Sequence, residues 1–224
     1  MAFDSKRAEE TLVEVVDALN EDRVVGMGFR LFDDVIATST RCLPRPKGRV
    51  LLPDPDAPAI LVLVRVRKPG TAKTAFAVVT AVDPWSGLAL LGTSTAAGLG
   101  VPDELNPVMG VEKLLEEVEP APLELTPIPG GAVFVYSHEN RWVEGTARGS
   151  AISPARAGGR IRSDRPGAPV FDENGSVVGL VGAGDERGLV VQMCLLADHL
   201  PGWALRRARA AEAGRGQAPK PPVP

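Results

Sequence analysis

Asp164-Arg165-Pro166-Gly167-Ala168-Pro169-Val170-Phe171-Asp172-Glu173-Asn174-Gly175-Ser176-Val177-Val178-Gly179-Leu180 holds two short apolar runs split by a polar turn. Asn-Gly supplies residues that accept positive φ, so the stretch reads as a β-hairpin with strands at 168–171 and 177–181. The same pattern extends outward. A strand at 188–194 follows, and strands at 132–136, 141–147 and 159–162 precede, which makes a set of six. Before them, Pro102, Pro107, Pro120, Pro122, Pro127 and Pro129 crowd a long connection with a short helix around 111–117. Upstream lies a second set of six, at 24–32, 35–40, 50–52, 60–67, 74–82 and 88–91. These segments are rich in β-branched residues and punctuated by Asp33-Asp34, Pro53-Asp54-Pro55, Lys68-Pro69-Gly70 and Asp83-Pro84. Two sets of six short strands fit two similar barrels, although no residue-level repeat is visible.

The ends differ from the middle. Asp4 can cap a helix over 4–20, in which Leu12, Val15, Val16 and Leu19 recur at helical spacing. Residues 197–209 read as a closing helix, and 214–224 as a Pro/Gly-rich disordered tail. The predicted organisation is therefore an N-terminal helix (1–22) and a double-barrel domain (23–210), then a tail (211–224). The domain divides into a first barrel (about 23–97), a linker (98–130), a second barrel (131–196) and a closing helix (197–210).

Composition narrows the function. The 224 residues carry 25 basic and 28 acidic side chains, a formal charge of −3, which gives no electrostatic case for nucleic acid or an anionic membrane. Arg206, Arg207 and Arg209 read as a solvated helix end, with a docking patch as the alternative. No apolar run approaches the roughly 20 residues that span a bilayer. Lys6, Arg7, Glu9 and Glu10 stand where a signal peptide needs an apolar core, so the expected location is the cytoplasm. The two cysteines, Cys42 and Cys194, have no CxxC partner and are expected to be buried, reduced and unpaired. No metal and no cofactor are expected: two histidines and two cysteines lack ligand spacing, and Gly28 lacks the glycine pattern of a nucleotide loop. Gly182-Ala183-Gly184 reads as a turn.

Three stretches, in order, resemble the trypsin-like (chymotrypsin-fold) serine peptidases, especially compact bacterial ones. Gly26-Met27-Gly28-Phe29 followed by Val35-Ile36-Ala37-Thr38-Ser39-Thr40-Arg41-Cys42-Leu43 is similar to the strand and Leu-Thr-Ala-Ala-His-Cys run of that family. Val82-Asp83-Pro84-Trp85-Ser86-Gly87-Leu88-Ala89-Leu90-Leu91 resembles its Asp-Leu-Ala-Leu-Leu segment. The stretch quoted first is similar to its Gly-Asp-Ser-Gly-Gly-Pro-Val hairpin. The fold implied over residues 22–200 is two six-stranded antiparallel barrels with the cleft between them.

The resemblance also implies that the catalytic positions are degenerate. A triad needs a hydroxyl nucleophile, an imidazole base and a carboxylate that fixes the imidazole's tautomer. Arg41 stands at the histidine position, Gly87 at the carboxylate and Pro166 at the serine. A guanidinium keeps its proton at every working pH and cannot act as a base. The family's oxyanion donors would fall on the N–H groups of Pro166 and Asp164, and proline has none. The expectation is a non-catalytic domain, a pseudoprotease, that binds a protein or peptide. Arg41, Asp164 and Arg165 are the candidate binding residues: either they pair with one another and plug the cleft, or an arginine receives a ligand carboxylate. Two alternatives stay open. One is a structural or assembly role carried by the terminal helices. The other is a hydrolase with a relocated nucleophile, for which Ser39, Ser163, Asp83, His138 and His199 are the available groups.

Overall fold

The computed structural model describes residues 3–17, 19–20, 22–44, 62–93, 108–125, 130–136, 142–155, 161, 165–184 and 190–215. Among these residues twelve strands form two closed antiparallel barrels. The first contains β1 (Leu12–Val16), β2 (Val24–Phe32), β3 (Val35–Ser39), β4 (Leu63–Arg67), β5 (Thr74–Asp83) and β6 (Leu88–Gly92). The second contains β7 (Gly131–Tyr136), β8 (Trp142–Arg148), β9 (Ala151–Pro154), β10 (Pro169–Asp172), β11 (Val177–Gly184) and β12 (Val191–Leu195). Around the first barrel the order is β1-β2-β3-β6-β5-β4, and around the second β7-β8-β9-β12-β11-β10. The two orders are the same, so the repetition that residue identities conceal is present in the topology.

The N-terminal helix is a correction. Helix α1 covers only Ser5–Glu9, capped by Asp4, whose carboxylate accepts from Arg7 N at 3.2 Å. Leu12–Val16 is not helical: it is the strand that closes the first barrel, paired with β2 and β4. All five of its residues are buried, whereas Leu19, the next residue of the expected apolar helix face, is 97% exposed. Barrel closure needs a sixth strand, and a run with three valines supplies it. The first barrel therefore begins at Leu12 rather than at residue 23.

Smaller differences follow from local chemistry. The expected strand at 50–52 lies outside the described residues, as does most of that at 159–162; β9 takes the corresponding place in the second barrel. The linker helix α2 spans Val108–Glu116. The closing helix is two pieces, α3 (Leu196–His199) and α4 (Gly202–Arg215), divided at Pro201, which cannot continue a helix. α4 thus runs into what was expected to be tail; residues 216–224 lie outside the described set. No helix among the described residues is long and apolar enough to cross a membrane.

One apolar cluster joins the barrels: Phe29, Phe32 and Leu88 meet Phe171, Leu180 and Leu196 with no more than 1% exposure at any of them. Phe3 stacks on Phe134 of the second barrel at 4.2 Å between ring centroids. At the other end, Arg207 of α4 reaches Asp33 at 2.9 Å and Asp34 at 3.2 Å and covers the Phe32 ring. Both chain ends thus clamp one barrel onto the other.

Candidate functional site

β3 ends at Ser39, whose hydroxyl accepts from Arg41 N at 3.3 Å and starts a single 3-10 turn, Thr40–Cys42. That turn is the hub of the junction. Thr40 N donates to Gly87 O at 2.8 Å, on one side. On the other, the Cys42 thiol donates to Pro166 O at 3.3 Å, and Met27 N reaches the same carbonyl at 2.8 Å. The three positions expected to converge, Arg41, Gly87 and Pro166, are therefore one hydrogen-bonded neighbourhood. Asp164 lies outside the described residues, and so do Ser163 and His138.

Each position is held by its surroundings. Pro166, the position expected for a nucleophile, is buried. Gly167 follows at φ +80°, and its N–H donates to Val181 O at 2.7 Å. Gly87 sits at φ +78° with its nearest neighbour, Thr40 Oγ1, 3.7 Å from where a Cβ would lie. There is space for a side chain there, but the left-handed backbone disfavours one. Arg41 is exposed; its Nη1 donates to Gly182 O at 3.3 Å, across to β11.

Arg165 turns elsewhere. Its Nη1 lies 3.8 Å from Glu14 Oε1 on β1, and Glu14 also accepts from Arg67 Nε at 2.7 Å. Glu14 is only 8% exposed. The cluster ties Arg165, next to Pro166, to the first barrel, and it went unread in the sequence because Glu14 was assigned to a helix. Glu14→Gln removes a carboxylate shared by two guanidinium groups, and breaking a largely buried pair from one side is costly. Urea unfolding should show a loss of about 2–3 kcal/mol, whereas Glu10→Gln, at an exposed position, should be neutral within about 0.5 kcal/mol.

The other candidates among the described residues are engaged elsewhere. Ser39 is fully buried, its oxygen already used by Arg41 N. Burial pushes the Cys42 thiol up to about 11, outweighing the hydrogen bond from Thr38 and the charge of Arg41. Burial likewise pushes Cys194 up to about 11. Both cysteines are free, buried and neutral thiols at physiological pH. His199 Nδ1 lies 3.3 Å from Asp83 Oδ2, a pair the sequence did not reveal. Burial alone would raise the Asp83 carboxyl; hydrogen bonds from the Ser86 hydroxyl and from the Trp85 and Ser86 N–H groups, with His199 beside it, hold it below its usual value. Here the carboxylate stands between the hydroxyl and the imidazole. A catalytic triad requires the imidazole in the middle. Among the described residues no group of His, Cys, Asp and Glu is placed to hold a metal ion.

No protein-family model and no curated protein matches the sequence. Solved structures do. The chain is similar to the active form of the Rv3671c protease from M. tuberculosis at 15% identity, with a TM-score of 0.51 over 100% of this chain and 91% of that one. It is also similar to a serine endoprotease from Yersinia pestis at 14% identity, with a TM-score of 0.53 over 96% of this chain and 69% of that one. Identities this low bear on the fold and leave activity aside. With two closed six-stranded barrels in the same strand order, the chain has the chymotrypsin-like double-barrel fold of the serine proteases.

Proposed function

We propose that this domain is a non-catalytic relative of the serine proteases, a pseudoprotease that binds an extended peptide or protein segment at the barrel junction. The observation that carries the reading is Arg41 at the base position. It is exposed and has no carboxylate partner among the described residues; its one hydrogen bond from the side chain goes to the carbonyl of Gly182. Among the described residues that carbonyl lies on an unpaired stretch of strand edge. The pairing of β11 with β10 ends at Leu180↔Pro169, and the segment just before β10 takes up Val181, whose N–H donates to Ala168 O at 2.8 Å. Residues 182–184 continue the strand with no backbone partner on that side among the described residues.

A peptide can add to such an edge through its main chain. Its N–H replaces the guanidinium at Gly182 O, and Arg41 exchanges a neutral carbonyl for a ligand carboxylate, a stronger charge-assisted partner. Arg165, already paired with Glu14, positions the loop instead of the ligand. The test is selection from a random heptapeptide library with free C-termini, followed by fluorescence anisotropy on the winners. Acidic or free-carboxylate peptides should bind saturably, and Arg41→Ala should weaken them about tenfold. Absence of any saturable binder, or affinity indifferent to Arg41→Ala, would sink the reading.

A further inference from the structure

A second site lies away from the junction, where α2 crosses β5. Val111, Leu114 and Leu115 of α2 pack into the first barrel's core against Ala75, Ala77 and Val79. At the crossing the two elements present small residues: a Cβ built on Gly110 would lie 3.5 Å from Ala75 Cβ. Small residues on both sides leave a cavity of about 160 Å³. Its floor is Ala75, Gly110 and Leu114, and its rim carries Lys73, Lys113 and Glu117 with the hydroxyl groups of Thr71 and Thr74.

The cations around this helix fall into two kinds. Arg30 Nη1 donates to Leu115 O at 2.7 Å and to Val118 O at 2.8 Å, and Lys68 Nζ to Glu117 O at 2.6 Å. Those two side chains satisfy the carbonyls at the helix end and hold the helix down. Lys73 and Lys113 do neither. Both are exposed, both line the cavity, and neither has an ion pair or a side-chain hydrogen bond with any described residue. Glu117 shares the rim. Thr71 already donates to Lys68 O at 2.8 Å, which leaves the Thr74 hydroxyl as the neutral donor of the rim.

We infer that this cavity binds a small amphiphilic monocarboxylate, its apolar chain on Ala75, Gly110 and Leu114 and its carboxylate between Lys73 and Lys113. The volume is close to that of cavities that take a ring of six carbons, and so suits a short aliphatic chain rather than a nucleotide. Two ammonium groups against one carboxylate on the rim favour an anion over a cation. Their exposure makes the polar contribution sensitive to salt, whereas the apolar floor is not.

The probes are octanoate, octanol and octylamine, titrated into the full chain by calorimetry and by amide chemical shifts. Octanoate should bind saturably, with shifts concentrated at 71–75 and 110–117, more tightly than octanol and far more tightly than octylamine. Lys73→Gln with Lys113→Gln should weaken octanoate about tenfold and leave octanol unchanged, with thermal unfolding as in the wild type. Raising the salt should weaken octanoate alone. The inference is wrong if octanoate does not saturate, if its shifts fall elsewhere, or if the double variant binds it as before. None of these outcomes depends on the junction, so peptide binding there can stand or fall separately.

Discussion

Gly167→Ala is expected to cost at least about 4 kcal/mol or to prevent folding altogether. Two terms add. The residue sits at φ +80°, where an L side chain is strained by about 1–3 kcal/mol. The new Cβ would also press on the Met27 carbonyl, lie 2.6 Å from Thr38 Oγ1 and 2.8 Å from Ser39 N. Such overlap in a packed interior costs typically 1–3 kcal/mol when neighbours can shift. These cannot. Thr38 Oγ1 donates to Met27 O at 2.6 Å, and Met27 N is bound to Pro166 O, so the clash falls on a closed hydrogen-bond circuit between β2, β3 and the loop. Gly175→Ala is the control, because it has nearly the same φ, +81°, with nothing within 4 Å of the added carbon. It should cost only the backbone strain, about 1–2 kcal/mol. Chemical denaturation of both variants measures the difference. Equal losses would mean that the close approach of the two barrels at Gly167 contributes nothing.

The legible and illegible parts of the molecule divide along physical lines. Asn174-Gly175 announced its hairpin because a tight turn has a local requirement that local residues meet, here the positive φ of Gly175 in the loop between Asp172 and Ser176. Asp172 even completes it, its carboxylate accepting from Asn174 N at 3.0 Å and from Ser176 N at 2.8 Å. β1 was illegible for the opposite reason. Leu12, Val15 and Val16 satisfy a helical period as well as a strand that is buried throughout, and only closure against β2 and β4 decides between them. Once Glu14 was placed on a helix, its contact with Arg165 across some 150 positions was lost with it. His199 and Asp83 show the same limit, since their meeting depends on how α3 packs on the β5–β6 turn. Arg41, Gly87 and Pro166 could be brought together beforehand only through motif resemblance. Nothing in their spacing demands that they meet.

Purified protein is expected to show no ester or amide turnover above buffer and no labelling by a fluorophosphonate. The positions that the motif resemblance assigns to base, carboxylate and nucleophile hold a guanidinium, no side chain and a buried proline without an N–H. An oxyanion donor alone is typically worth about 2.7–4 kcal/mol in acyl transfer, so the residual rate should lie below that of a triad knock-out with its hole intact, roughly 10³–10⁴-fold over water. Single repairs should do nothing, because triad members act as a unit. The triple variant Arg41→His, Gly87→Asp, Pro166→Ser should label weakly at best. Asp at position 87 must adopt φ +78°, and a serine at 166 inherits a backbone whose carbonyl is held by Met27 N and the Cys42 thiol. Those same two bonds give the repair its chance, since they hold the position of the nucleophile beside the Thr40–Cys42 turn with or without a hydroxyl. Stoichiometric labelling of any serine in the wild type, abolished by replacing that serine, would overturn the non-catalytic reading. Labelling confined to the triple variant would show the reverse: a junction that retains the geometry for acyl transfer in a chain that has given up the groups to perform it.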